Sequence, residues 1–226
     1  MENKVKDLRQ QLFNFEFNTS FNKNDFFVSE SNFYAYNLLF SWPKWEKKIL
    51  NIHGERHSGK THLVEIFLEK NNGLIIETNK IKNYDLEEIR FNENIILENI
   101  DENVDETLLY SLIDTTEKYN KFLIITSYKS LNEIKFKLND LTSRLKNCLF
   151  AEIKKPDDIL IQALITKNLS DHQITIDTKL IDFISKRITR SYSKIKEFVY
   201  TIDKISLKKK KPINLKIIKE ILGVSN

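Results

Sequence analysis

Two of the chain's four glycines stand five positions apart and run straight into a lysine and a threonine, in Gly54-Glu55-Arg56-His57-Ser58-Gly59-Lys60-Thr61. The run meets every fixed place of the pattern G-x-x-x-x-G-K-[ST]. It constrains the fold before it says anything about activity. Such a loop needs a buried strand ahead of it and a helix behind it. Its backbone N–H groups must converge on one point, and the helix N-terminus must face that point. Both flanks comply. Lys48-Ile49-Leu50-Asn51-Ile52-His53 reads as a buried strand. His62 to Lys70 places apolar residues at 63, 66 and 67, with 64 beside them, on one helix face. Asn71-Asn72-Gly73 ends that helix.

The chemistry follows from the same residues. Glycines let the backbone wrap a phosphate chain. Lys60 can reach the β and γ phosphates, and the Thr61 hydroxyl can hold Mg²⁺. Gly54, Glu55, Arg56, His57, Ser58, Gly59, Lys60 and Thr61 are therefore candidate phosphate-binding residues, for ATP or ADP with Mg²⁺.

Periodicity divides the rest of the chain into three stretches. Residues 1–24 are polar with scattered aromatics and read as a flexible arm. Over 25–154 the pattern predicts a helix at 31–41, the strand and loop above, and strands at 74–77, 94–98, 121–127 and 148–153. Helices are expected between them at 80–90, 104–119 and 139–146. Short apolar strands alternating with helices imply an α/β fold, a three-layer parallel sheet. From 155 to 226 the strands stop. Four helices are expected there, at 157–170, 177–188, 191–206 and 214–222, forming a lid subdomain. Lys208-Lys209-Lys210-Lys211 reads as a solvated loop between the last two, with contact to DNA phosphate as the alternative.

A phosphate loop of this kind needs an acidic residue at the tip of another strand, to organise Mg²⁺ and water. In Ile95-Ile96-Leu97-Glu98-Asn99-Ile100-Asp101, Glu98 is the candidate. Asn99 follows it, and an amide cannot accept a proton, so hydrolysis by this chain alone should be slow. Ser127 ends a strand and can offer a polar group near the γ-phosphate. Arg144, on the helix before the last strand, can project as a finger into a neighbour's nucleotide. Arg187, Arg190, Lys194 and Lys196 fall on the third lid segment, from where a cation can fold back onto phosphate, Arg190 being the candidate. His53, His57 and His62 straddle the loop and lack the spacing of a metal site.

Composition bounds the class. Hydrophobic residues make up 41%, enough for a core, and no apolar run approaches a membrane span. The first residues lack the apolar centre of a signal peptide. The one cysteine, Cys148, has no internal partner, so a cytoplasmic location is expected. A net charge of +4 permits nucleic-acid contact without arguing for it.

These elements, in this order, resemble the AAA+ ATPases, and within them the DnaA/Hda branch. The resemblance covers nearly the whole chain. It rests on Asp25-Phe26-Phe27-Val28-Ser29-Glu30-Ser31-Asn32, Trp42-Pro43-x-Trp45, Leu97-Glu98-Asn99-Ile100-Asp101, Asp140-Leu141-Thr142-Ser143-Arg144-Leu145 and Lys154-Lys155-Pro156-Asp157-Asp158. It is strongest with the short Hda-type proteins of alphaproteobacteria, which regulate the replication initiator DnaA. The resemblance implies that Phe27 and Val28 flank the adenine and that Gly54 to Thr61 hold the phosphates. Glu98 serves the metal, Ser127 stands at the first sensor and Arg144 at the arginine finger. Ser193 falls where the family carries its second sensor arginine, with Arg190 and Lys194 nearby. DnaA initiators add a helix-turn-helix domain after the lid. The chain stops there, so a regulator is expected rather than an initiator.

The resemblance also implies partners: the DnaA initiator, the DNA polymerase sliding clamp, and DNA through their complex. Hda-type proteins bind the clamp through an N-terminal peptide that begins Gln-Leu. Gln11-Leu12-Phe13-Asn14-Phe15 lies in the right place, with Leu12 and Phe15 as anchors, although Asn14 replaces an apolar residue. A register from Gln10, an anchor at Phe17, or packing of the arm onto the protein itself are the alternatives. A homo-oligomer is compatible with the family. Three functions stay open: a regulator of DnaA-bound ATP, an autonomous ATPase or helicase-loader-like motor, and a nucleotide-stabilised adaptor at DNA or the clamp.

Overall fold

In the computed structural model, residues 26–78, 81, 84–209 and 213–224 are described. The clamp-peptide candidates Gln11, Leu12 and Phe15 lie outside these residues.

In chain order the elements are α1 (Phe33–Phe40), β1 (Ile49–Gly54), α2 (Lys60–Leu68), β2 (Gly73–Glu77), α3 (Leu86–Phe91), β3 (Asn94–Ile100), α4 (Glu106–Lys118), β4 (Phe122–Ser127), α5 (Asn139–Lys146) and β5 (Leu149–Ile153). Four more helices follow: α6 (Asp158–Asp171), α7 (Thr178–Ser185), α8 (Tyr192–Lys209) and α9 (Leu215–Leu222). The strands form one parallel sheet in the order β2-β3-β4-β1-β5. β1 and β4 lie inside it, and β4 is buried along its whole length. This is why their sequences are apolar runs rather than alternations.

The two faces of the sheet sort the strand residues by parity. Ile49, Ile95, Leu97, Leu123 and Ile125 pack with Leu109, Leu112 and Ile113 of α4 and Leu141 and Leu145 of α5. Leu50, Ile52, Ile96 and Ile124 pack with Ala35 and Leu39 of α1 and Leu63, Val64 and Phe67 of α2. Helices thus cover both faces, giving the expected three-layer α/β fold. A third core, with Ile161, Ile165, Ile184, Ile195, Phe198, Ile202 and Ile218, is built from the C-terminal helices alone. Leu160 and Tyr192 of those helices join the second core instead, and so bridge the two parts.

Three details differ from expectation. Among the described residues of the predicted helix 80–90, regular helix runs over Leu86–Phe91, and the Asp85 carboxylate caps it by accepting from Glu87 N. Strand β3 runs on to Ile100 through an irregularity: Leu97 pairs with Ile125 but Ile100 with Ser127, so β3 carries one extra residue. Helix α8 extends to Lys209, so the basic run expected as a loop begins inside a helix. Among the described residues no helix is long and apolar enough to cross a membrane.

Candidate phosphate-binding site

The loop leaves β1 at Gly54, where the backbone leans on the neighbouring strand. A Cβ at Gly54 would sit 2.6 Å from Ile153 O, and its φ is +157°. Only a residue without a side chain fits. The turn then passes through left-handed backbone at His57 (φ 65°) and Gly59 (φ 93°). Gly59 precedes α2, and its carbonyl accepts from Leu63 N at 2.9 Å.

Lys60 is the first residue of α2 and is buried. Its ammonium curls back along the loop, donating to Gly54 O at 2.7 Å and Glu55 O at 2.9 Å, with Ser58 Oγ at 3.5 Å. Burial lowers its pKa to about 8, against the opposing pull of Glu55 and Glu98. The cation is therefore held in the concavity rather than in solvent. Thr61 follows on the first turn, half-buried.

Glu98 belongs to the same centre, since it acts electrostatically on both Lys60 and Glu65. Its Oε1 is buried and has no hydrogen-bond partner among the described residues. A buried carboxylate oxygen without a donor is costly unless a cation or bound water completes it. A carboxylate oxygen is a donor that suits Mg²⁺, and the Thr61 hydroxyl on the first turn of α2 is a second oxygen of that kind. The residues present therefore fit a magnesium nucleotide.

Asn99 sits in the extra turn of β3 with φ 59°, its N–H donating to Thr126 Oγ1 at 2.9 Å and its side chain exposed. Asparagine tolerates this backbone better than most residues. Ser127 is fully buried, and its hydroxyl donates to Lys129 O at 2.6 Å while accepting from Asn51 Nδ2 at 2.9 Å. Its single proton is thus engaged within the protein. Asn51 also donates to Ile125 O and accepts from Leu131 N, so it ties β1, β4 and the following segment together. A cleft of about 550 Å³ opens beyond these strand ends, with Glu55, Arg56, Asp101, Tyr128, Lys129 and Ser193 among its walls.

The loop is roofed from two sides. Ahead of α1, Asn32 clamps residues 27–29, donating to Phe27 O and accepting from Ser29 N. Phe27 and Val28 are exposed there, while Phe26 lies on the loop, 3.3 Å from where a Gly59 Cβ would stand and edge-on to His62. From the other side comes α8. The Glu55 carboxylate accepts from Ser191 Oγ, from Ser193 N at 3.1 Å and from Tyr192 N at 3.3 Å. Burial pushes its pKa up, but these hydrogen bonds outweigh burial and hold it below the usual range. Arg190 points elsewhere, to an exposed ion pair with Asp158 at 2.9 Å, and Lys194 pairs with Glu197.

Arg144 stands apart from the loop. Its guanidinium meets Glu117, Asp114 at 3.0 Å and the Tyr110 hydroxyl at 3.2 Å, all on α4, and stacks 4.8 Å from the Tyr110 ring. Both carboxylates are about half exposed, at 47% and 56%.

No protein-family profile matches the chain, and no curated protein matches its sequence. Solved structures do. Domain III of the replication initiation protein DnaA from Thermotoga maritima superposes with a TM-score of 0.74, at 17% identity, over 91% of this chain and 97% of that one. AMPPCP-bound DnaA from Aquifex aeolicus gives 0.67 at 17% identity, over 85% and 69% of the two chains. A RuvB variant from Thermotoga maritima gives 0.64 at 13% identity, over 87% and 70%. The fold is the AAA+ fold. At these identities the likeness is one of architecture.

The structure brings together Gly54 to Thr61 and Glu98, while Ser127 is fully buried and tied to Asn51. Arg144 and Arg190 stand in separate ion pairs. Phe26, Asn51 and the acceptor role of Glu55 escaped the sequence reading. A polar residue inside an apolar strand was the available signal for Asn51. None marked Glu55.

Proposed function

We propose that the chain is a nucleotide-binding AAA+ protein of replication initiation, a cytoplasmic regulator that promotes hydrolysis of DnaA-bound ATP together with the sliding clamp. Residues 25–154 form its nucleotide-binding part and 155–226 its lid. The observation that carries nucleotide binding is the buried Lys60 ammonium, curled onto the carbonyl of a Gly54 that tolerates no side chain and within the electrostatic reach of Glu98, whose buried oxygen has no partner among the described residues. ATP or ADP would lie along Gly54 to Thr61, with Thr61 and Glu98 holding Mg²⁺. When bound, the metal neutralises phosphate charge. Lys60, which donates to two loop carbonyls, would find in phosphate oxygens stronger acceptors for its ammonium.

Action on a partner, rather than vigorous hydrolysis of its own ATP, is supported by Asn99. Its amide stands next to Glu98 where a general base would be needed. Arg144 would supply the finger. Its two ion pairs are half exposed and worth about 0–1 kcal/mol each, so a partner's triphosphate can displace them. The overlap with nearly the whole of DnaA domain III supports DnaA as that partner.

The test is hydrolysis of ATP bound to the cognate DnaA, with clamp and DNA present. Wild type is expected to stimulate it and Arg144→Ala to fail. No stimulation by wild type, with nucleotide and clamp bound, discards the regulator and leaves the adaptor. An Asn99→Asp variant that gains strong hydrolysis of its own supports Glu98 as the metal-side carboxylate.

A further inference from the structure

The phosphate loop and the start of α8 meet through one side chain. Glu55, directly after Gly54, takes the Ser191 hydroxyl and the backbone N–H groups of Tyr192 and Ser193. The first N–H groups of a helix have no partner within it, and the helix dipole favours an anion beside them. Glu55 supplies both acceptor and charge. Two neighbouring contacts fasten the same joint. Lys196 Nζ lies 3.5 Å from His57 Nδ1, and the buried Tyr192 donates its hydroxyl to Lys154 O at 3.0 Å.

The polarity is the reverse of that expected from the sequence. A lid cation was to reach the phosphates from here. The chain instead has Ser193 at that place, and Arg190 is occupied by Asp158. The anion comes from the loop, and the lid provides the donors.

We propose that Glu55 is a positioning residue whose carboxylate docks the lid on the phosphate loop, so that closure needs no γ-phosphate. The nucleotide half of this statement rests on the nucleotide-binding reading; the docking half does not. If the lid is already closed by a group within the protein, a γ-phosphate adds no lid contact. The lid then contributes nothing to the choice between nucleoside di- and triphosphates, since discrimination requires a group that touches only one of them.

Docking is measured first without nucleotide. Cys148 is buried, so spin labels at Lys118→Cys and Tyr200→Cys, both exposed, report the distance between the two parts of the full chain. The expected result is one narrow distance distribution, unchanged by ADP or ATP. Glu55→Gln, which keeps shape and loses charge, should broaden it to longer distances, and Glu55→Asp should restore part of the narrow peak. Ser191→Ala removes one donor from the helix side and should shift it the same way, less far. Labelled ADP and ATP should then leave Glu55→Gln faster by a similar factor, about tenfold, the cost of one charge-assisted hydrogen bond. A wild-type distribution in Glu55→Gln overturns the proposal. So does a distribution that narrows only with ATP. Failure of wild type to bind either nucleotide removes the phosphate-loop reading, while the distances still decide the docking.

Discussion

The phosphate loop and the α4–α5 face are built on opposite principles. The loop is over-determined: Gly54 against a strand carbonyl, a left-handed turn, a buried ammonium with three acceptors, and a carboxylate with three donors. The α4–α5 face holds its one arginine by exposed ion pairs and a tyrosine ring. Buried, satisfied polar groups fix a geometry, and exposed pairs can be traded at little cost. The difference teaches that the first region holds its groups fixed, while the second leaves an arginine whose partners can be exchanged.

The contrast can be broken at its largest effect first. Arg144→Ala should remove the stimulation of DnaA-bound ATP hydrolysis by on the order of 10³, with nucleotide affinity and melting temperature almost unmoved. A parallel fall in affinity would erase the distinction between the two regions. Lys60→Ala should weaken ATP and ADP binding roughly 10²-fold, the loss of its charged donor, as read by titration calorimetry with the fold checked by circular dichroism. Unchanged affinity would mean that phosphates bind elsewhere.

Gly54→Ala should destabilise the protein by about 1–3 kcal/mol, because the added Cβ meets Ile153 O at 2.6 Å. Urea denaturation measures it. Acid should loosen the roof of the loop before the sheet. Burial raises the pKa of both Glu55 and Asp157, yet their hydrogen bonds bring each below its usual value. Groups with lowered folded pKa values contribute stability above the ordinary carboxylate range, and lose it as pH falls through the lowered values. Below about pH 4 the Tyr200–Lys118 label distance should lengthen while far-ultraviolet circular dichroism persists. Last and smallest, Asp114→Asn with Glu117→Gln should cost under about 1 kcal/mol. A larger loss would make Arg144 a structural anchor.

Much of this was legible beforehand. The loop was readable because its residue types and spacing are set by phosphate geometry. The sheet was readable because strands buried on both faces become apolar runs such as Phe122 to Ile125. What could not be read depends on pairing between distant segments. The left-handed Asn99 arises from the register of β3 on β4, which no local pattern encodes. Glu55 looked like a loop residue, because its donors lie 136 to 138 positions further on. Arg190 looked free to turn inward, because Asp158, its partner, stands at the start of α6, remote in the chain.

The reciprocal bond between Ser31 and Asp157 has a consequence for how the molecule is made. Ser31 Oγ donates to one carboxylate oxygen of Asp157 and accepts from its backbone N–H, across 126 residues. Contacts so far apart in the chain form after nearer ones, since the loop must be closed before they give anything back. During synthesis all five strands have emerged by Ile153, before Asp157 and long before Ser191 exist. A nascent chain therefore holds every strand of the described sheet, and the Phe26 side of the roof, before the α8 side that Glu55 receives has been made.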